Sequence, residues 1–172
     1  MLNPTAAILI IGDEILSGRT RDSNMHYLSC ELTKIGINLQ EARFIPDNAT
    51  KIIDDVRCLS SKYDYVFTSG GIGPTHDDIT ADCIAAAFET KISIREDAFK
   101  LLENYYSEQN IDFNSARQRM ARIPNGAKLI DNPISVAPGF HLHNVFVMAG
   151  VPNIFQSMVQ NILPLILNGK PV

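Results

Sequence analysis

The chain reads as an α/β domain: a mostly parallel sheet with helices on both faces and a small antiparallel hairpin. Three observations carry that reading. Apolar runs of strand length alternate with stretches whose apolar residues recur at helical spacing. The first run, Thr5 to Ile11, is apolar almost throughout, as in a strand covered on both faces. A length of 172 residues suits one sizeable core, so residues 1–172 are taken as a single domain.

In chain order, the first strand ends at Gly12-Asp13-Glu14. Ser23 is placed to cap a helix with Met25, Leu28, Leu32 and Ile35 on one stripe and Gly36 as its stop. Ile37 to Ile45 reads as a second strand, and Pro46-Asp47-Asn48 lead into a helix carrying Ile52, Val56 and Leu59. Asp64 to Ser69 is a third strand, followed by a glycine-rich loop and a helix opening at Asp77 with Ile79, Cys83, Ile84, Ala87 and Phe88. The pattern then changes to a short strand-like piece from Ile92, a helix from about Glu96 to Gln109 and another from about Ser115 to Arg122, a helical lobe beside the sheet. Strands return at Ala127–Ile130, Pro138–His143 and Val145–Met148, with His143-Asn144 as the tight turn of a hairpin. Gly150-Val151-Pro152 open a closing helix with Ile154, Met158, Ile162 and Leu165, which Pro164 kinks or ends.

Composition excludes several functions. No apolar run approaches the roughly 18 residues that suggest a membrane span. The amino terminus shows neither a basic region nor a cleavable apolar segment, so the expected location is cytoplasmic. A net charge of -4 argues against a general nucleic-acid surface, so any nucleotide bound is small. Cys30, Cys58 and Cys83 are too far apart for a metal pair and are read as small, mostly buried thiols.

The chemistry concentrates at Gly70-Gly71-Ile72-Gly73-Pro74-Thr75-His76-Asp77-Asp78-Ile79-Thr80. A glycine-rich turn between strand and helix fans out backbone N–H groups, a common way to hold a phosphate; the alternative is a tight turn with an Asp cap. The loop lacks the Gly-Lys-Ser/Thr of a P-loop and the spacing of a dinucleotide fingerprint. An ionised Asp beside a phosphate is repelled unless a cation intervenes, which brings in a divalent metal. In open α/β sheets ligands bind beyond the carboxyl ends of the strands. Gly12–Glu14, Pro46–Asp47, Gly70–Asp78 and Ala149–Pro152 should therefore meet at one edge. There Asp13, Glu14, Asp47, Asp77 and Asp78 either hold a hard cation such as Mg²⁺ or serve as caps and solvated turn residues. Elsewhere His141 and His143, two apart on a strand, share a face as a metal pair or an exposed hairpin side. His76 is a phosphate contact, an acid or a plain loop residue. Arg117, Arg119 and Arg122 form a phosphate clamp or a solvated helix face, with Arg119 and Arg122 as i,i+3 neighbours.

Together, Ile11-Gly-Asp-Glu-Ile-Leu-Ser-Gly18, Thr68 to Thr80, Ala137-Pro-Gly-Phe140 and Gly150-Val-Pro152 resemble the amino-terminal domain of the CinA (competence/damage-inducible protein A) family, a branch of the molybdopterin-binding MoaB/Mog superfamily. The resemblance spans essentially the whole chain. It implies a three-layer α/β domain forming a homodimer or homotrimer, with functional aspartates at Asp78 and Asp47. The activity it implies is metal-dependent hydrolysis of ADP-ribose, with Mg²⁺, Mn²⁺ or Co²⁺ as cofactor. Molybdopterin binding or adenylyl transfer is the alternative, and a non-catalytic nucleotide-binding module a third.

On the first reading Asp78, Asp47 and Asp77 are catalytic, and Asp13, Glu14 and Asp78 hold the metal. Gly70, Gly71, Gly73, Thr75, His76, Thr80, Gly12, Ser17, Arg119, Gly150 and Pro152 then bind the phosphate or nucleotide. Two positions depart from the patterns: Ala149 stands where CinA-like sequences carry proline, and Ile72 replaces the threonine of the cofactor-synthesis branch, favouring the CinA side. The nicotinamide-nucleotide amidase domain of full-length members would lie beyond Val172, so no amidase activity is expected.

Overall fold

The computed structural model describes residues 2–171; Met1 and Val172, on which the readings of the two termini rest, lie outside the described residues. The chain begins with β1 (Thr5–Ile11), a single helical turn α1 (Asp13–Leu16), α2 (Asn24–Lys34), β2 (Asn38–Ile45), α3 (Ala49–Lys62) and β3 (Tyr65–Ser69). After the glycine loop come α4 (Thr80–Ala87), β4 (Ile92–Ile94), α5 (Glu96–Glu108) and α6 (Ser115–Gln118), then a 3₁₀ turn at Arg119–Ala121 that runs into β5 (Arg122–Pro124). It closes with β6 (Lys128–Ile130), β7 (Gly139–Leu142), β8 (Val145–Met148), α7 (Pro152–Ile162) and a 3₁₀ turn holding Pro164.

Strands of the main sheet lie in the order β2-β1-β3-β8-β7-β6, and β4 pairs with β5 in a separate ribbon. β2, β1, β3 and β8 are parallel, whereas β7 and β6 are added antiparallel. Two reversals cancel, so β6 points the same way as β8 and delivers the segment after Ile130 to the edge where the glycine loop lies. The pleat divides the apolar run of β1 between two cores. Ala7, Leu9 and Ile11 pack with Ile52, Val56 and Leu59 of α3 and Cys83 and Ile84 of α4. Ala6, Ile8 and Ile10 pack with Leu28 and Leu32 of α2 and with Phe155, Met158 and Ile162 of α7. The result is the expected three-layer α/β sandwich.

Several local expectations are corrected. α4 opens at Thr80 rather than Asp77, because the Asp78 carboxylate accepts from the Thr75 N–H at 2.9 Å and the Thr75 hydroxyl at 2.8 Å and closes a separate turn. The second lobe helix stops before Arg122, which lies in β5 opposite Ile94, so Arg119 and Arg122 are not neighbours on one helix face. Ser23 makes no capping bond; Asp22 accepts from the Asn24 and Met25 N–H groups instead, at 3.2 and 3.1 Å. Of the cysteines only Cys83 is buried, its thiol pushed up to about 11 by desolvation, while Cys30 and Cys58 sit on outer helix faces. His141 and His143 do not share a face. His143 takes a left-handed turn conformation (φ 51°) and packs on Phe88, whereas His141 stacks on Phe146 on the other side of the sheet.

β2 is an edge strand whose exposed positions are Asn38, Gln40, Ala42 and Phe44, and its half-buried Glu41 and Arg43 put charges on the edge, which discourages further strand pairing. Glu41 accepts from the Tyr63 hydroxyl at 2.6 Å, Arg43 at 2.7 Å and Lys62 at 3.1 Å; Arg43 also reaches Asp55 at 2.8 Å. The Tyr63 hydrogen bond foremost, then Arg43 and Lys62, hold the Glu41 carboxyl down at about 2. Its folded value lies below its unfolded one, so the stability it contributes is present above the usual carboxylate range and lost as pH falls towards 2. Glu41→Gln is expected to lower Tm at pH 7 by about 3 °C, near 1 kcal/mol after allowing for solvent screening. Thermal melts of the two proteins should converge as pH is taken down to about 2.

Candidate active site

Four parallel strands and β6 bring their ends to one edge, and the backbone there is packed too closely for side chains at its centre. A Cβ on Gly70 would stand 2.2 Å from the Ile11 carbonyl oxygen, and one on Gly71 would stand 2.0 Å from the Thr80 hydroxyl; both residues have positive φ, 101° and 75°. Thr80 is fully buried behind the loop, donating its hydroxyl to the Gly70 carbonyl (3.0 Å) and its N–H to that of Gly71 (2.9 Å). It braces the loop and does not face a ligand. Asn24, 2% exposed at the start of α2, completes the support: its amide donates to the Ser69 hydroxyl at 2.8 Å and to the Gly150 carbonyl at 2.9 Å. That residue ties the ends of β3 and β8 together.

Three concave regions open around this centre. A cavity of about 490 Å³ is lined by Gly70, Gly71 and Gly73 of the loop, by Gly150 and Pro152, and by Ile72, Met120, Ala137, Val151 and Ile154. Asn132 and Ser135 form part of its wall. Beside it, a pocket of about 270 Å³ gathers all five predicted acids, Asp13, Glu14, Asp47, Asp77 and Asp78, with Arg19 and Thr75. Glu14, Gly71 and Asp78 belong to both. On the far side of the loop, an open groove of about 690 Å³ runs between Pro74–His76 and Asn114–Arg119. A narrow cleft holding Gly73, Asp78, Asp82, Arg119 and Arg122 joins that side to the centre.

Within the acidic pocket, Asp13 and Asp47 exchange hydrogen bonds: the Asp13 N–H donates to the Asp47 carboxylate at 3.1 Å and the Asp47 N–H to the Asp13 carboxylate at 3.2 Å. Desolvation first, and then the charges of Asp13, Glu14 and Asp78, raise the Asp47 carboxyl above the usual carboxylate range. Every donor on this wall other than Thr75 and Arg19 is a carboxylate oxygen, the chemistry of a hard divalent cation. No three of these groups converge into a closed cage, and no group of three or more His, Cys, Asp or Glu at metal-holding distance exists among the described residues. Carboxylate oxygens are the ligands a hard divalent cation takes, but among the described residues these side chains do not converge into a set of three that would hold one by themselves.

The other predicted residues fall at varied distances from this centre. His76 is exposed, 3.3 Å from Asp77, and lines the outer groove. Gly12 is buried beneath Glu14, where a Cβ would meet the Glu14 carboxylate at 2.4 Å. Ser17 is exposed on the turn after α1, accepting from Arg19 at 3.3 Å, and lines none of these regions. Sequence reasoning missed Asn24, Arg19 and Thr20, and it missed the Asn132–Ala137 segment. Asn132 braces that segment, accepting from the Ile134 and Ser135 N–H groups and donating to Ser135 and the Ala137 carbonyl. The direction of β6, obtained by counting reversals from β8, would have placed it at the site.

Fold and pocket define a class: a three-layer α/β protein with a small-ligand site at the carboxyl edge of its parallel strands. The chain belongs to the family of probable molybdopterin binding domains, which it matches over residues 7–168. It is 35% identical over 172 residues to a protein of Metallosphaera sedula, covering 97% of this chain and 65% of that one. It is 36% identical to a probable FAD synthase of Caenorhabditis elegans, covering 86% of this chain and 32% of the relative. The chain thus spans about two thirds of the first relative and about one third of the second. Among solved structures, the CinA protein of Thermoplasma acidophilum superposes with a TM-score of 0.87 at 29% identity, covering 95% and 99% of the two chains. The molybdopterin biosynthesis enzyme MoaB of Thermus thermophilus superposes with a TM-score of 0.61 at 14% identity, covering 95% and 91%, a likeness of fold alone.

Because the folded Asp47 carboxyl lies above its unfolded value, its contribution to stability is lost as pH rises from the ordinary carboxylate range through the raised value. Asp47→Asn keeps an acceptor for the Asp13 N–H and removes the charge. Its Tm should exceed that of the parent by about 1–2 °C at pH 7, a small gain because the open pocket is screened by solvent. Calorimetry below pH 4 should find the difference gone.

Proposed function

We propose that this chain is a metal-dependent nucleotide pyrophosphatase acting on ADP-ribose or a related dinucleotide. The observation that carries this reading is the sharing of Glu14, Gly71 and Asp78 between a carboxylate-lined pocket and a cavity walled by the glycine loop. A diphosphate seated against the loop N–H groups would lie beside acids that can hold a cation and orient water. Asp13, Glu14 and Asp78 are the carboxylates proposed to meet the divalent cation; because no three acids among the described residues stand at metal-holding distance, water and the diphosphate would complete its shell, and the cation would neutralise the diphosphate and stabilise charge on the leaving phosphate. Asp47 and Asp77 orient the attacking water and accept its proton. The water oxygen bonds to one phosphorus, the bridging P–O bond breaks, and its electron pair leaves with the other phosphate. From ADP-ribose the products are AMP and ribose 5-phosphate, with two protons released once both monoesters are dianions.

Membership of a molybdopterin-binding family supports the second reading, pterin phosphate in the same cavity with or without adenylyl transfer. No helix among the described residues is long and apolar enough to cross a membrane.

Asp78→Asn should lower metal-dependent hydrolysis of ADP-ribose by about 10²-fold or more while leaving the fold intact, because the amide oxygen still accepts from Thr75. Parent-like turnover by the folded variant removes Asp78 from the mechanism. An intact ADP-ribose pool with Mg²⁺, Mn²⁺ or Co²⁺, together with tight molybdopterin binding, replaces the first reading with the second. For assembly we propose a homodimer or homotrimer, supported by large apolar side chains left exposed on the lobe, Ile94, Leu101 and Ile111. Light scattering should give a mass of two or three chains; a clean monomer at working concentration overturns it.

A further inference from the structure

We propose that the groove between Pro74–His76 and Asn114–Arg119 is a second subsite that receives the sugar-phosphate half of the substrate, with Arg119 as its specificity-determining cation. The inference rests on the diphosphate reading above and assigns the two halves of that ligand to different sides of the loop.

Charge is the first argument. The acidic pocket supplies only carboxylates and Arg19 around the centre, so a ligand with two phosphates lacks a positive group on the opposite side. Arg119 stands there, in the wall common to the narrow cleft beside Asp78 and Gly73 and to the outer groove. Neighbouring arginines each have a partner: Arg122 holds the Asp82 carboxylate at 2.5 Å, although its Nε too is buried and unpaired, and Arg117 holds the Asp112 carbonyl at 2.5 Å and the face of Tyr106. The Arg119 guanidinium makes no side-chain hydrogen bond or ion pair among the described residues, and its Nε is buried without a partner. A buried N–H left unpaired is costly; the cleft, about 20 Å³, admits one water-sized group, so a single oxygen of a phosphate lying in the adjoining groove would remove that cost.

The second argument is the contrast between the two sides. The cavity near Gly150 presents Ile72, Met120, Val151 and Ile154, a setting for the faces of a flat heterocycle. The groove presents Asn114, Ser115, His76 and the two arginines, groups that hydrogen-bond hydroxyls and phosphate. A dinucleotide-like ligand laid across Gly73 and Asp78 therefore has its base on the first side and its hydroxylated sugar phosphate on the second.

The test uses the purified chain with ribose 5-phosphate and AMP as separate probes in calorimetric titrations, and with ADP-ribose plus Mn²⁺ in steady-state assays. Arg119→Met should weaken ribose 5-phosphate binding at least tenfold and leave AMP binding within about twofold. It should raise KM for ADP-ribose more than it lowers kcat, and Arg119→Lys should recover only part of the loss because a lysine cannot make the two-pronged contact. Ser115→Trp, which fills the groove from its exposed rim, should likewise block ribose 5-phosphate and spare AMP, and it serves if Arg119→Met does not fold. Ribose 5-phosphate binding that survives both changes overturns the subsite. Loss of that binding in a protein that never hydrolyses ADP-ribose upholds the subsite and rejects the pyrophosphatase reaction.

Discussion

The close backbone approach at Gly70 is the constraint on which the site depends. The residue sits between the carbonyl end of β1 and Gly150 after β8, with Thr80 bonded to its carbonyl from behind. A side chain there would force β1 and β3 apart and release the loop from α4. Asn24 adds the third support from the opposite face of the sheet, linking Ser69 and Gly150 through one buried amide. The loop is thus held from both layers of helices, and its outward-facing groups are ordered before any ligand arrives, which is the arrangement that limits the entropy cost of binding.

Around that rigid centre the charges are sorted by side. The ends of β1 and β2 and the turn closed by Asp78 place five acids on one flank. The helical lobe, attached through β4 and β5, places arginines on the other. The lobe therefore contributes more than bulk to the molecule: it provides the positive wall that the strand ends lack. Its own seat is apolar, with Ala98, Leu102, Ala121 and Ile123 buried in the core beneath α4 and with Phe99, Phe113 and Tyr106 stacked at its outer end. Packing of small and aromatic residues far from the ligand thus fixes where Arg119 stands.

The comparisons separate fold from chemistry. A MoaB enzyme at 14% identity shares the three layers, a likeness of fold that by itself carries no function. The function proposed above rests on the loops at the carboxyl edge, on the acids of one flank and the arginines of the other.

Sequence alone determined the strand and helix alternation, the mostly parallel sheet and the edge at which Gly70–Asp78 would meet Asp13, Asp47 and Gly150. These follow from local signals: apolar period, glycine at positive φ, and the rule that ligands gather at the carboxyl ends of parallel strands. Tertiary structure decided what each polar group does there. Thr80 looks like a ligand contact in a Gly-rich string, yet it faces inward to hold Gly70, and Asp78 looks like a helix cap, yet it closes the turn at Thr75. Arg122 looks like part of a basic helix until Pro124 and the pairing with β4 draw it into a strand, where it reaches the cleft paired with Asp82 and leaves Arg119 as the arginine there without a side-chain partner among the described residues. For Thr80 and Asn24 the deciding partners, Gly70 and Gly150, lie 10 and 126 positions away, which no local pattern encodes; Asp78 bonds only three positions back, to Thr75.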